Sequence, residues 1–96
     1  MPEIASKFLW KTGMESKPTE NLTKKYNELT AVQFIELWET VWGAGPSPEQ
    51  AELVMKNTLF RVSVFDGGKI VGMARMLGDF GLDYFIKDVV VRPEYQ

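Results

Sequence analysis

The sequence predicts an α/β domain of the α+β kind: a mixed, mostly antiparallel sheet flanked by helices, in the order β-α-α-β-β-β. Three observations carry that prediction. Two helix-start signatures, at Thr30 and Ser47, stand in front of apolar residues at helical spacing. From residue 59 onward the apolar period changes from helical to two-residue. Asp66-Gly67-Gly68 then joins two alternating runs, as a tight hairpin requires.

The elements follow in order. Residues 1–21 read as an N-terminal extension, with Phe8, Leu9 and Trp10 as a short strand or anchor. Gly13 and Lys17-Pro18-Thr19 read as turn or linker. The stretch from Leu22 to Leu29 partly alternates and predicts a short strand. Thr30-Ala31-Val32-Gln33 is a capping box, with Leu29 and Phe34 placed as a hydrophobic staple across it. Phe34, Leu37, Trp38 and Val41 form the apolar stripe of a helix over residues 31–42, and Gly43 supplies a left-handed stop. After a Gly/Pro loop, Ser47-Pro48-Glu49-Gln50 repeats the capping box, with proline where its missing N–H costs nothing. Ala51, Val54 and Met55 give the second stripe, which Asn57 ends.

Phe60, Val62 and Val64 alternate with Arg61, Ser63 and Phe65 in the next strand. The return strand runs from Lys69 to Leu77, and Gly72 within it marks a bulge or a close backbone approach. Gly78-Asp79-Phe80-Gly81 makes the following turn. A last strand spans Leu82 to Arg92 before Pro93 stops it. Its Val89-Val90-Val91 run is apolar on both faces, which predicts a central strand with helices on each side.

Composition bounds the function. Ninety-six residues, 45% hydrophobic and 12% aromatic, make one small domain with a packed core. A net charge of -2 gives no electrostatic reason to expect a nucleic acid or an anionic membrane as partner. The absence of cysteine excludes disulfides and thiolate metal sites. The absence of histidine removes the commonest general base and metal ligand. No apolar run reaches membrane-span length and no secretory signal opens the chain, so a cytoplasmic location is expected.

Two segments carry a resemblance. Phe65-Asp66-Gly67-Gly68-Lys69-Ile70-Val71-Gly72-Met73-Ala74-Arg75 is similar to the hairpin joining the second and third strands of GNAT-superfamily N-acetyltransferases. Ile86-Lys87-Asp88-Val89-Val90-Val91-Arg92-Pro93-Glu94-Tyr95-Gln96 resembles that family's fourth strand and the start of its acetyl-CoA motif. Together, over residues 22–96, they resemble the amino-terminal half of the acyl-CoA N-acyltransferase-like fold. The resemblance implies acetyl transfer from acetyl-CoA to a primary amine, on a small molecule or a peptide. It implies that the backbone of Val89, Val90 and Val91 binds the pantetheine amides, and that Gln96 opens the phosphate-binding loop. In the family the coenzyme pyrophosphate sits on backbone N–H groups at a helix N-terminus after that loop. The sequence ends there, so the expectation is a truncated chain, inactive alone.

The resemblance implies that Asp88, a carboxylate on the fourth strand, is the candidate general base, a role that needs burial near the reacting nitrogen; the structural alternative is an ion pair with a neighbouring basic residue or bonds to backbone groups. Asp83 and Trp42 are the candidate acceptor-side residues. Trp38 and Trp42, one helical turn apart, line an acceptor pocket or simply belong to the core. Arg61 and Arg75 read as surface residues or as anchors for an anionic substrate. No metal is expected. The competing function is a non-catalytic module, in which the last strand's apolar edge pairs with a second copy or with a complementing C-terminal half. A weaker alternative is an unrelated helix-plus-meander binding domain.

Overall fold

The computed structural model describes residues 21–96; the readings made above for residues 1–20 lie outside it. Four antiparallel strands, β1 (Leu22–Tyr26), β2 (Phe60–Asp66), β3 (Lys69–Gly78) and β4 (Tyr84–Val91), form one sheet in the order β1-β2-β3-β4. Helices α1 (Ala31–Trp42) and α2 (Pro48–Asn57) connect β1 to β2, and a 3-10 turn, Pro93–Tyr95, follows β4. Among the described residues no helix is long and apolar enough to cross a membrane.

Both helices begin as their sequences specify. Thr30 Oγ1 accepts from the Gln33 N–H at 3.2 Å, and Gln33 Oε1 accepts from the Thr30 N–H at 3.0 Å. Ser47 and Gln50 repeat that reciprocal pair at 3.1 and 3.0 Å. These bonds satisfy N–H groups that a helix start would leave unpaired. Leu29 and Phe34 are both buried in one cluster, as the staple requires. The first strand is shorter than its alternation suggests. Asn27 has a φ of 57°, which turns the chain out of the sheet. Its side chain and backbone then clamp the start of β2, accepting from the Arg61 N–H at 3.0 Å and donating to Arg61 O at 2.7 Å.

One face of the sheet carries the helices. Phe34 and Leu37 from α1, with Ala51 and Met55 from α2, pack on Phe65, Ile70, Met73 and Val90. Such burial is the main favourable term in folding, at about 25 cal/mol per Å² of apolar surface. The opposite face holds a smaller cluster, Val64, Val71 and Tyr95, with Leu22 and Val91 beside it. That arrangement corrects the expectation of helices on both sides of a central last strand. In the described sheet β4 is terminal, and among the described residues Tyr95 of the 3-10 turn packs on the cluster of its second face. The three valines read as two-faced because Val90 and Val91 enter different clusters while Val89 stays exposed.

Candidate active site on the fourth strand

β4 is bonded to β3 along one edge and, among the described residues, to no strand along the other. Its alternation is reset midway. Arg75 lies opposite Lys87, and Met73 opposite Val90, so Ala74 faces two residues, Asp88 and Val89. This is a β-bulge, and it changes which side chains reach the core. Arg75 and Met73 share the helix-bearing face, and so do Lys87 and Val90 although three positions separate them. Without the extra residue Val89 and Val91 would take that face. Asp88 absorbs the irregularity with a φ of 52°, a region aspartate tolerates better than most residues.

Asp88 does not stand free. Its carboxylate accepts from Arg75 Nε in an ion pair whose side chains are only 12% and 11% exposed. Arg75 also donates from Nη1 to Thr58 Oγ1 at 3.3 Å and lies 5.9 Å from the Phe34 ring centre. The pairing foreseen as the structural alternative is therefore present, and Arg75 is an interior residue rather than a surface anchor.

Beyond the bulge the backbone directions can be followed. The Arg92 N–H donates to Val71 O at 2.8 Å. Alternation then turns the N–H and C=O of Val90 toward β3 and those of Val91 outward. Gln96 Nε2 donates to that outward Val91 carbonyl at 2.7 Å. The following turn is fixed from several sides. Arg92 donates to Ile70 O at 3.0 Å and pairs with Glu36 of α1 at 3.1 Å. The Tyr95 hydroxyl donates to Asp66, which raises its pKa above 10.0, and Lys69 pairs with Glu94 at 3.0 Å, which lowers the Glu94 pKa.

No family model matches this sequence, and no curated protein does. Solved structures do. A Staphylococcus aureus protein of unknown function, given a provisional acetyltransferase assignment, is 29% identical over 78% of this chain and 56% of its own, with a TM-score of 0.72. A GNAT-family acetyltransferase from Streptococcus pneumoniae is 26% identical over 78% of this chain and 55% of its own, with a TM-score of 0.66. The chain has a GNAT acetyltransferase-like fold. A candidate acetyltransferase from Deinococcus radiodurans, 16% identical over 86% of this chain and 59% of its own, shares that fold with a TM-score of 0.65. The chain thus spans less than two thirds of the length of each.

Within this GNAT-like fold the expected site residues fall into two groups. Asp88, Val89, Val90, Val91 and Gln96 form one continuous region along β4 and its turn. Trp42 and Asp83 lie apart from it, and no hydrogen bond or ion pair among the described residues joins either to Asp88. Trp42 is half exposed at the end of α1, edge-on to Trp38 at 4.7 Å, and Trp38 packs against the core. Asp83 is exposed in the β3–β4 turn, where Asp79 Oδ1 accepts from the N–H groups of Gly81, Leu82 and Asp83 at 2.8, 2.9 and 3.1 Å. Those bonds hold the Asp79 pKa below its usual value. Arg61 is structural, donating to Leu29 O at 2.9 Å and to Met55 O, near the end of α2, at 3.3 Å. Sequence reasoning missed Arg75 as an interior partner; its two-residue spacing from Met73 was the available signal. Nothing local signalled that Gln96 would fold back on Val91.

Proposed function

We propose that this chain supplies the donor-side wall of an N-acetyltransferase that moves an acetyl group from acetyl-CoA to a primary amine. The observation that carries this reading is the bulged β4, whose outer edge pairs with no strand among the described residues, inside a GNAT-like fold. Val91 turns its backbone groups toward that edge, where pantetheine amides can pair with them as a strand would. Val90 faces β3 and contributes its side chain to the core, and the Gln96 amide must leave the Val91 carbonyl for a donor to take its place. The neutral amine attacks the thioester carbonyl, polarised by a β4 backbone N–H; the C–N bond forms, the C–S bond breaks, and coenzyme A leaves as a thiol that takes up the proton the nitrogen gives up. The acceptor is a small-molecule or peptide amine, with Trp42 and Asp83 as its proposed contacts.

Titration of the isotope-labelled chain with acetyl-CoA tests this. Amide shifts centred on Val89 to Val91 are expected. Shifts that bypass β4, or no shifts at all, would count against the reading. The base assignment of Asp88 has its own test in the assembled enzyme. A loss of transfer in Asp88→Asn with the β4 amide pattern unchanged assigns the carboxylate to taking the ammonium proton; a loss that comes with a changed pattern assigns it to holding the strand, and full transfer removes both roles.

A second reading rests on a different observation. Phe80 and Leu82 are 79% and 91% exposed, and Tyr84, Phe85, Ile86 and Val89 continue the apolar surface along β4. An unpaired apolar edge of this kind is a template for strand addition. The occupant would be a second copy or a complementing C-terminal half. A monodisperse monomer by light scattering at high concentration would remove the self-association form of this reading. Failure of a separately produced C-terminal half to co-elute would remove the other.

A further inference from the structure

The bulge at Asp88 and Val89 decides which valine of β4 enters the helix-side core, and nothing in the strand's own sequence compels it. Val89, Val90 and Val91 carry the same side chain, so hydrophobicity alone does not choose between Val90 inward and its two neighbours inward. A one-residue slip in a strand exchanges its faces, and the register must be pinned by something else. The only charged contact at the bulge among the described residues is the pair between Asp88 and Arg75. Arg75 is itself held from two sides. Thr58, just after α2, accepts from its Nη1 and donates onward to Val54 O at 2.6 Å, while the Phe34 ring of α1 lies beside the guanidinium. The guanidinium therefore occupies a fixed place set by both helices, and the carboxylate that meets it must come from a residue at the Asp88 position.

We propose that Arg75 is a positioning residue: by capturing Asp88 it locks the β4 bulge, and with it the register that turns the Val91 backbone outward and buries Val90. The function of that outward edge rests on the acetyltransferase reading above; the locking of the register does not. In this arrangement α1 and α2 set the donor strand through a side chain of β3, without touching the donor. Arginine suits the place because its planar fork serves Asp88 and Thr58 together. A lysine ammonium reaches one of them at a time.

The test is nuclear magnetic resonance on the labelled chain, wild type against Arg75→Met. In the wild type, Asp88 should show the strong intraresidue amide–Hα contact of a positive φ, and the Val90 methyls should contact Met73 and Phe34. In Arg75→Met the Asp88 signature should weaken, and methyl contacts to the helix face should pass in part from Val90 to Val89 and Val91. An unchanged Asp88 signature with unchanged Val90 contacts overturns the proposal. If Arg75→Met fails to fold, Asp88→Asn decides, because asparagine keeps the tolerance for positive φ and loses only the charge. Amide exchange at Val90 and Arg92, whose N–H groups face β3, should then rise about tenfold relative to the β2–β3 hairpin; an unchanged ratio overturns the proposal. Arg75→Lys should fall between the wild type and Arg75→Met. The two proposals fail separately. Absent acetyl-CoA shifts in the wild type remove the acetyltransferase reading and leave the lock standing, whereas an intact bulge in Arg75→Met removes the lock alone.

Discussion

β1 and β4 both end the four-stranded sheet, yet exposed Lys24 and Lys25 line one while exposed Tyr84, Phe85, Ile86 and Val89 line the other. β1 is five residues long and stops at the turn of Asn27. Its lysines keep the edge in water, and Lys25 also covers the Phe65 ring, its Nζ 4.8 Å from the ring centre. Short length and edge lysines are the ordinary defence against unwanted strand pairing. β4 has eight residues and only Lys87 as an exposed charge, because Asp88 is held by Arg75. Its defence is the bulge alone. The difference teaches that two strands at the ends of one described sheet can be finished by opposite means, one by short length and charge and the other by a bulge under an apolar surface.

The sharpest way to break the comparison is to place a carboxylate on each edge strand. Val90→Asp buries an unpaired charge among Phe34, Leu37 and Met73, and should cost about 4 kcal/mol, enough to unfold a domain of this size. Lys24→Asp, on exposed β1, should stay within about 0.5 kcal/mol. Urea denaturation followed by circular dichroism measures both. A mild Val90→Asp would mean that the two strands are equally peripheral.

The next contrast concerns association. Phe85→Lys gives β4 the lysine defence of β1 and should lower any self-association seen by light scattering, with stability changed by less than about 0.5 kcal/mol. Lys25→Val makes the reverse exchange and should raise association. Identical behaviour of the two variants would sink the claim that the edges differ in kind.

A smaller effect separates the two hairpins. A Cβ at Gly78 would meet the Tyr84 ring at 2.5 Å and Asp83 O at 3.1 Å, whereas one at Gly68 meets nothing within 4 Å. Gly78→Ala should therefore cost about 1 kcal/mol, and Gly68→Ala should be near neutral, in the same urea titration. Smallest is a pH effect at the turn after β4. The Asp66 hydrogen bond raises the Tyr95 pKa, so the protonated phenol stabilises the folded chain. That contribution is complete below the ordinary tyrosine value of 10.0 and fades as pH rises through the raised folded value. Tyr95→Phe should flatten this alkaline loss in urea midpoints measured between about pH 8 and pH 11. An unchanged slope would show that the hydroxyl contributes nothing there.

Much of this was legible in one dimension. Thr30/Gln33 and Ser47/Gln50 announced both helices because a capping box is closed within four residues. Asp66-Gly67-Gly68 announced its hairpin because only the turn's own backbone angles are at stake, and Gly67 adopts a φ of 63°. The alternating run that ends in Val89-Val90-Val91 announced β4 for the same reason, since its residue types are local. Less legible were the shortened β1, the terminal place of β4 in the described sheet, and the fates of Arg61 and Arg75, which alternation alone left on the surface.

The sequence by itself determined the elements and their order, and through them the acetyltransferase-like fold, since each element rests on contacts between near neighbours in the chain. Only the tertiary structure decided which valine of β4 is buried, that Asp88 is paired, and where Gln96 rests. Arg75 and Asp88 lie thirteen residues apart, and Thr58 and Phe34 come from other elements again. Three identical side chains in a row offer no local preference, so the choice among them falls to an ion pair that exists only once helices and sheet have met.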